Sequence, residues 1–375
     1  MPMRRACFAL LIAALAPALV PGMALADPPG LKTLAIGSPA PDFSLPGVDG
    51  KTYSLKDFAS AKVLVVYFTC NHCPTAQAYE ARVAKLVEDY KDKGVALMAI
   101  CPNDATAVRL DELGYTDLDD TFESMKIRAR DAHYNYPYVY DGETQKASFE
   151  YGALATPHVF IFDAERKLRY NGRFDDQEVK PVKSHEAIDA IDALLAGKPV
   201  PVEKTRVRGC STKWADKRDA AKESLAKWDA EPVTLETIDE AGAAALVKND
   251  TKGLLVLNLW ATWCGPCIQE LPALVEIQRM YRGRGLRVAT LSLDDPAKKD
   301  DALKVLTDNH VSGLNRIVQV ADRDKFADIV DKEWPGPVPH TLVIAPGGEV
   351  IYRKTGALDP LELKRAIVGK IGRTY

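Results

Sequence analysis

At 375 residues the chain exceeds one ordinary domain, and two domains are expected. Its composition, 47% hydrophobic and 27% charged, is that of a soluble globular protein with enough apolar content for a core in each half. A formal net charge of −3 removes the electrostatic case for nucleic acid or an anionic membrane surface as a partner.

Arg4 and Arg5 precede the apolar run "ACFALLIAALAPALV", and "ALA" ends at Ala26 before the polar "DPPG". That order predicts a secretory signal peptide over residues 1–26, cleaved after Ala26. The alternative is a retained anchor, but the run is short for a span and broken by Pro17 and Pro21. No membrane span is expected after cleavage. The mature chain then has six cysteines, Cys70, Cys73, Cys101, Cys210, Cys264 and Cys267, in an oxidising compartment outside the cytoplasm, expected to be the bacterial periplasm. Six are too few for a disulfide scaffold, so each is read by its surroundings.

"DFSLPGVDGKTYSL" reads as a hairpin turning at Asp49-Gly50, and "KVLVVYF" as a strand buried on both faces. A helix follows "FTCNHCP", with Tyr79, Val83, Leu86, Val87 and Tyr90 at helical spacing. "VALMAI" is a strand, and a long polar and aromatic insertion runs over about residues 103–150. "HVFIF" and "KLRYNGR" form a last hairpin, closed by the helix "SHEAIDAIDALLAG". A Pro-rich extended segment then turns into a charged helical stretch; the linker is placed at 215–231.

The second half repeats this plan: strand and helix in "PVTLETIDEAGAAALV", buried strand "GLLVLNLWAT", helix after "CGPC", strand "LRVATLSL", helices, the hairpin "HTLVIAP…EVIYRKTG", and the helix "PLELKRAIVGKIG". The expected fold class is α/β, two tandem mixed sheets flanked by helices, over residues 36–214 and 232–375. Each copy carries one C-x-x-C, expected at the same point of the fold, where a buried strand gives way to a helix. The unpaired N–H groups and positive dipole end of that helix stabilise a thiolate. This makes Cys70 and Cys264 the expected attacking thiols, and Cys73 and Cys267 the thiols that resolve the mixed disulfide.

"WATWCGPC" resembles the active-site motif of the thioredoxin superfamily, and residues 232–375 resemble its exported TlpA/ResA-like branch. Trp263 and the loop Val338-Pro339, whose proline is cis in that family, are then implied to face a substrate chain. Asn258 stands where thioredoxin has a buried acid, and Glu270 is the branch's glutamate, implied to move protons during exchange; a solvated helix-face glutamate is the alternative. Residues 36–214 resemble the peroxiredoxin-like AhpC-TSA branch, through "GSPAPDFSLPGVDGKTYSL", "FTCNHCP", "ATPHVFIFD", "NGRFDD" and "GCSTKW", with Thr156-Pro157 as the cis-proline loop. The peroxidases' P-x-x-x-T-x-x-C spacing precedes neither Cys70 nor Cys101.

His72 is expected to donate to a Cys70 thiolate and make Cys70–Cys73 the more oxidising couple; a solvent-facing His72 is the alternative. Cys70–Cys73 and Cys264–Cys267 are the implied redox disulfides, and Cys101 and Cys210 are either a third pair or separate thiols. Arg173 is either near the first site or a surface residue. Zinc ribbons keep their cysteine pairs about 15–20 residues apart, so no metal and no cofactor are expected. The resemblance implies an exported thiol–disulfide oxidoreductase acting on protein thiols and disulfides, as in cytochrome c maturation, with electrons from a membrane thiol reductase. A peroxidase domain fed by a fused thioredoxin domain, and a partner-binding module with a static disulfide, are the competing readings.

Overall fold

The computed structural model describes residues 27–375; the expected signal peptide lies outside the described residues. Among them, no helix is long and apolar enough to cross a membrane.

The first half contains β1 (Ser44–Pro46), β2 (Thr52–Ser54), β3 (Val63–Phe68), α1 (Pro74–Tyr90), β4 (Val95–Cys101), α2 (Phe122–Asp131), β5 (Tyr138–Tyr140), α3 (Lys146–Tyr151), β6 (Ala155–Thr156), β7 (His158–Phe162), β8 (Leu168–Gly172), α4 (Glu186–Leu195) and β9 (Cys210–Ser211). The main sheet has the order β5-β4-β3-β7-β8. β3 runs parallel to β4 and antiparallel to β7. Every residue of β3 and β7 is buried, as the unbroken apolar runs require of strands covered on both faces. Val63, Val65 and Tyr67 pack on the α1 and α4 side, and Leu64, Val66 and Phe68 pack on the other side with Tyr151 and Phe160. The insertion at 103–150 is ordered: it supplies α2, α3 and the edge strand β5.

α5 (Arg218–Asp229) occupies the expected linker. Arg218 binds Asp104 at one end, and Asp229 accepts from Arg279 (2.8 Å) at the other. The second half contains β10 (Glu236–Ile238), α6 (Glu240–Lys248), β11 (Leu255–Trp260), α7 (Gly265–Tyr281), β12 (Arg287–Ser292), α8 (Lys299–Asp308), β13 (Leu314–Val318), α9 (Arg323–Val330), β14 (His340–Ile344), β15 (Val350–Thr355) and α10 (Pro360–Ile371). Its sheet order is β10-β13-β12-β11-β14-β15. β11 again lies between a parallel neighbour, β12, and an antiparallel one, β14. The duplicated α/β plan is therefore present, with β13 in the place of β5 and the second sheet extended on that edge by β10.

The two halves touch. Leu113, from the insertion of the first, sits inside the apolar cluster built around α7. Tyr281 donates to the Thr116 carbonyl (2.6 Å), and Arg373 donates to Asp117 (2.5 Å).

Candidate active site

Both halves use the same backbone device. β3 meets the strand entered through cis Thr156–Pro157, and β11 meets the strand entered through cis Val338–Pro339. Phe68 lies opposite His158, and Leu259 lies opposite His340, each histidine following its cis-proline. These pairs fix the correspondence between the copies. Five residues beyond Phe68 comes Cys73; five residues beyond Leu259 comes Cys264. Each is the N-cap of a 17-residue helix, α1 or α7.

The two C-x-x-C motifs therefore do not sit at the same point, which corrects the expectation. Cys73, not Cys70, corresponds to Cys264. Cys70 takes the place of Ala261, and Ala76 takes the place of Cys267. Domain two carries its second sulfur one turn into the helix, and domain one carries it one turn before the helix.

In domain two Cys264 and Cys267 form a disulfide with an S–S distance of 2.07 Å. The Cys267 N–H donates to Cys264 Sγ (3.3 Å), so the N-cap sulfur satisfies a donor that the helix leaves unpaired. Cys267 is fully buried, while the neighbouring Trp263 is 69% exposed. Glu270 is buried and is not a solvated helix-face glutamate. Its Oε1 accepts from Asn258 (2.6 Å) and its Oε2 from the Leu358 N–H (3.2 Å). The acid that is absent from β11 at Asn258 thus reaches the same interior from α7. Burial raises the Glu270 pKa, and these two donors only partly offset it.

In domain one Cys70 and Cys73 stand as free, buried thiols, so the Cys70–Cys73 bond is not formed. Their sulfurs are engaged elsewhere. Cys70 Sγ lies 3.0 Å from Thr156 Oγ1, and Cys73 Sγ lies 3.0 Å from the Thr156 carbonyl. Cys73 also accepts from the Cys210 N–H (3.4 Å).

His72 is buried rather than solvent-facing. It contacts Cys70 Sγ at 3.5 Å, but its Nδ1 lies only 2.6 Å from Asp120 Oδ2. The shorter, charge-assisted bond takes the Nδ1 proton, so His72 does not serve as the dedicated donor to Cys70. Asp120 is held by Asn103 (2.7 Å) and by the N–H groups of Asn71 and His72 (2.9 and 3.1 Å).

This arrangement separates the two thiols. Burial raises the Cys70 pKa, hydrogen bonding with the Cys73 thiol and the Asp120 charge push it further, and Cys70 stays protonated. Burial and the Thr156 carbonyl oppose a thiolate at Cys73 as well. They are outweighed by the thiols of Cys210 and Cys70, the His72 imidazolium and the Ala76 N–H, and the Cys73 pKa falls below that of an ordinary thiol. For His72, burial is opposed and overcome by the charge and hydrogen bond of Asp120, which raise its pKa.

Asp120 had no signal in the sequence, since it lies 48 residues from His72 in the insertion. The Cys101–Cys210 pair is not formed: Cys101 is a buried thiol at the end of β4, and Cys210 lies against Cys73. Arg173 pairs with Glu186 and leaves the site to other residues.

A central strand that delivers a cysteine to a helix N-terminus, beside a strand entered through a cis-proline, defines the thioredoxin-like fold, and this chain carries it twice. Residues 36–171 and 229–353 match the AhpC/TSA family, and the chain belongs to that family. The thiol-disulfide oxidoreductase ResA of Oceanobacillus iheyensis is 30% identical over 127 residues, covering 33% of this chain and 62% of that protein. The chain spans about three fifths of the length of this relative and of the ResA of Bacillus thuringiensis. An uncharacterized conserved protein from Geobacillus kaustophilus is 38% identical, covering 48% of this chain and 92% of its own, with a TM-score of 0.44. A hypothetical protein from Sinorhizobium meliloti is 34% identical, covering 49% and 97%, also with a TM-score of 0.44.

Replacing Asp120 by Asn removes the charge that keeps His72 protonated. The pH midpoint for alkylation of Cys73 is expected to rise by about one unit. Rates measured with iodoacetamide and read by mass spectrometry on the peptide containing Cys73 check this; an unmoved midpoint removes His72 from the account.

Proposed function

We propose that this chain is an exported thiol–disulfide oxidoreductase with two exchange centres, in units at about residues 36–214 and 232–375 joined by 215–231. The observation that carries the reading is the repeated one: a cysteine at the N-cap of α1 and of α7, each with a second cysteine three residues away. The name of the ResA relatives supports it.

In domain two the reduced Cys264 attacks a partner's disulfide and releases one partner thiolate. Cys267 then attacks Cys264 Sγ, releases the second thiolate and closes the Cys264–Cys267 bond. Two electrons pass with the exchanged sulfur–sulfur bond, and no cofactor is needed. Glu270 takes the Cys267 proton. Trp263 and the Val338–Pro339 loop present the surface on which a partner chain docks.

In domain one the roles fall to Cys73 as attacking thiol and Cys70 as resolving thiol, with Thr156 and Pro157 as the loop beside them. This reverses the order expected from sequence, because the helix N-cap lies at Cys73. The export reading rests on residues 1–26, with the periplasm as compartment, periplasmic protein cysteines as substrates and a membrane thiol reductase as electron donor. N-terminal sequencing of the mature protein is expected to begin at Asp27; an intact Met1 or a start elsewhere would count against it.

With dithiothreitol as donor, insulin reduction by the full chain is expected to fall to the uncatalysed rate in Cys264→Ser and to persist in Cys73→Ser. The opposite pattern would move the reductase work to domain one. Glu270 ionises above the usual carboxylate range, and only its ionised form accepts the Cys267 proton. Activity should therefore rise as pH climbs above that range, and Glu270→Gln should lose this acid limb. Superimposable pH profiles for the two proteins would end the proton-transfer role.

A further inference from the structure

The strand position beside cis-Pro157 is already filled, and the chain fills it with its own cysteine. β9 pairs antiparallel with β6, placing Ser211 opposite Ala155 and Cys210 opposite Thr156. In domain two the residue before the cis-proline, Val338, has no strand paired with it among the described residues.

The fit of β9 is built in on both sides of Cys210. Gly209 has φ +139°, and a Cβ there would lie 2.0 Å from the Thr156 carbonyl, so only glycine lets the chain pass this close. Beyond Cys210, the Thr212 N–H donates to the Leu154 carbonyl (3.1 Å) and its hydroxyl donates to the Ala153 carbonyl (2.8 Å). The Lys213 N–H donates to Asn103 (2.9 Å), the same asparagine that holds Asp120. These contacts leave Cys210 with its N–H on Cys73 Sγ (3.4 Å) and opposite Thr156, whose carbonyl lies 3.0 Å from the same sulfur.

We propose that Cys210 is a third redox thiol of domain one, closing a Cys73–Cys210 disulfide in the place that a substrate cysteine takes in an intermolecular complex. The proposal rests on the thiol-exchange reading above and deepens it. In the reaction, the Cys73 thiolate attacks one sulfur of a disulfide oxidant. A Cys73–oxidant bond forms, the oxidant's S–S bond breaks, and one thiolate leaves and takes a proton from solvent. The Cys210 sulfur then attacks Cys73 Sγ. The Cys73–Cys210 bond forms, the Cys73–oxidant bond breaks, and the second leaving thiolate takes up the proton that Cys210 gives up. Two thiols of domain one are oxidised, and one disulfide is reduced to two thiols. Cys210 is held protonated by hydrogen bonding with the Cys73 sulfur and by burial, so it reacts only after Cys73 has given up its charge.

Trypsin separates the candidates. Cys70 and Cys73 share the peptide spanning residues 63–82, whereas Cys210 lies on Gly209–Lys213. The reduced full chain is treated with oxidised glutathione, alkylated and digested without reduction. The expected major domain-one product is the first peptide bonded to Gly209–Lys213, with the bond assigned to Cys73 by fragmentation. The same product is expected in Cys70→Ser, and Cys210→Ser should shift the bond to within peptide 63–82. A wild-type bond confined to peptide 63–82, or one joining Cys210 to the Cys101 peptide, overturns the proposal and leaves the exchange reading of domain one standing. Absence of any domain-one disulfide in a chain whose Cys264–Cys267 bond has formed overturns both.

Discussion

A sulfur at the N-terminus of a helix is the constraint on which the rest of this molecule depends. The first turn of a helix offers N–H groups without partners inside the helix, and a sulfur in the N-cap position meets them with either an electron pair or a negative charge. For a sulfur to reach that position twice, each central strand must end at a fixed distance from a helix of fixed direction. The buried strands β3 and β11 and the matched 17-residue helices α1 and α7 supply this framework. The cis-proline loops lie on the neighbouring antiparallel strands and close the other side.

Within one framework the two sites solve the problem of charge differently. Domain two keeps its electrostatics sparse, with one buried acid held by an amide and a backbone N–H behind the disulfide. Domain one surrounds its N-cap sulfur with donors and places an ion pair, His72 and Asp120, beside it. Both members of that pair are buried, and Asp120 is satisfied by four hydrogen bonds from three residues. Such a network is costly to assemble in a protein interior and pays only when every member is satisfied. The asymmetry of the two cysteines follows in part from it: the Asp120 charge works against a thiolate at Cys70, and the His72 charge favours one at Cys73.

The duplication and the buried central strands were legible in the sequence because hydrophobic run lengths and turn residues determine them locally, whereas both cis-proline loops followed from the family resemblance. The position of the first cysteine pair was not legible, since C-x-x-C looks the same on either side of a helix start. A signal was present: Tyr90 and Tyr281 end their helices, each followed four residues later by a glycine, Gly94 or Gly285, and counting back from them aligns Cys73 with Cys264. Asp120 was out of reach, because the insertion that carries it has no periodicity linking it to residue 72. Cys210 was noticed, but only tertiary pairing of a two-residue strand could show which sulfur it meets.

The insertion that brings Asp120 to His72 is also the part of domain one that enters domain two. Leu113 lies in the cluster around α7, Thr116 and Asp117 receive Tyr281 and Arg373, and three residues later the chain reaches the ion pair. One short stretch of chain is thus both mortar between the halves and scaffolding for the buried ion pair beside Cys70. The halves are not interchangeable cassettes: transplanting either onto another partner would leave this stretch without its second anchor. The gene that encodes them is therefore expected to tolerate changes at the outer edges of each sheet far better than a swap of one half for a foreign homologue.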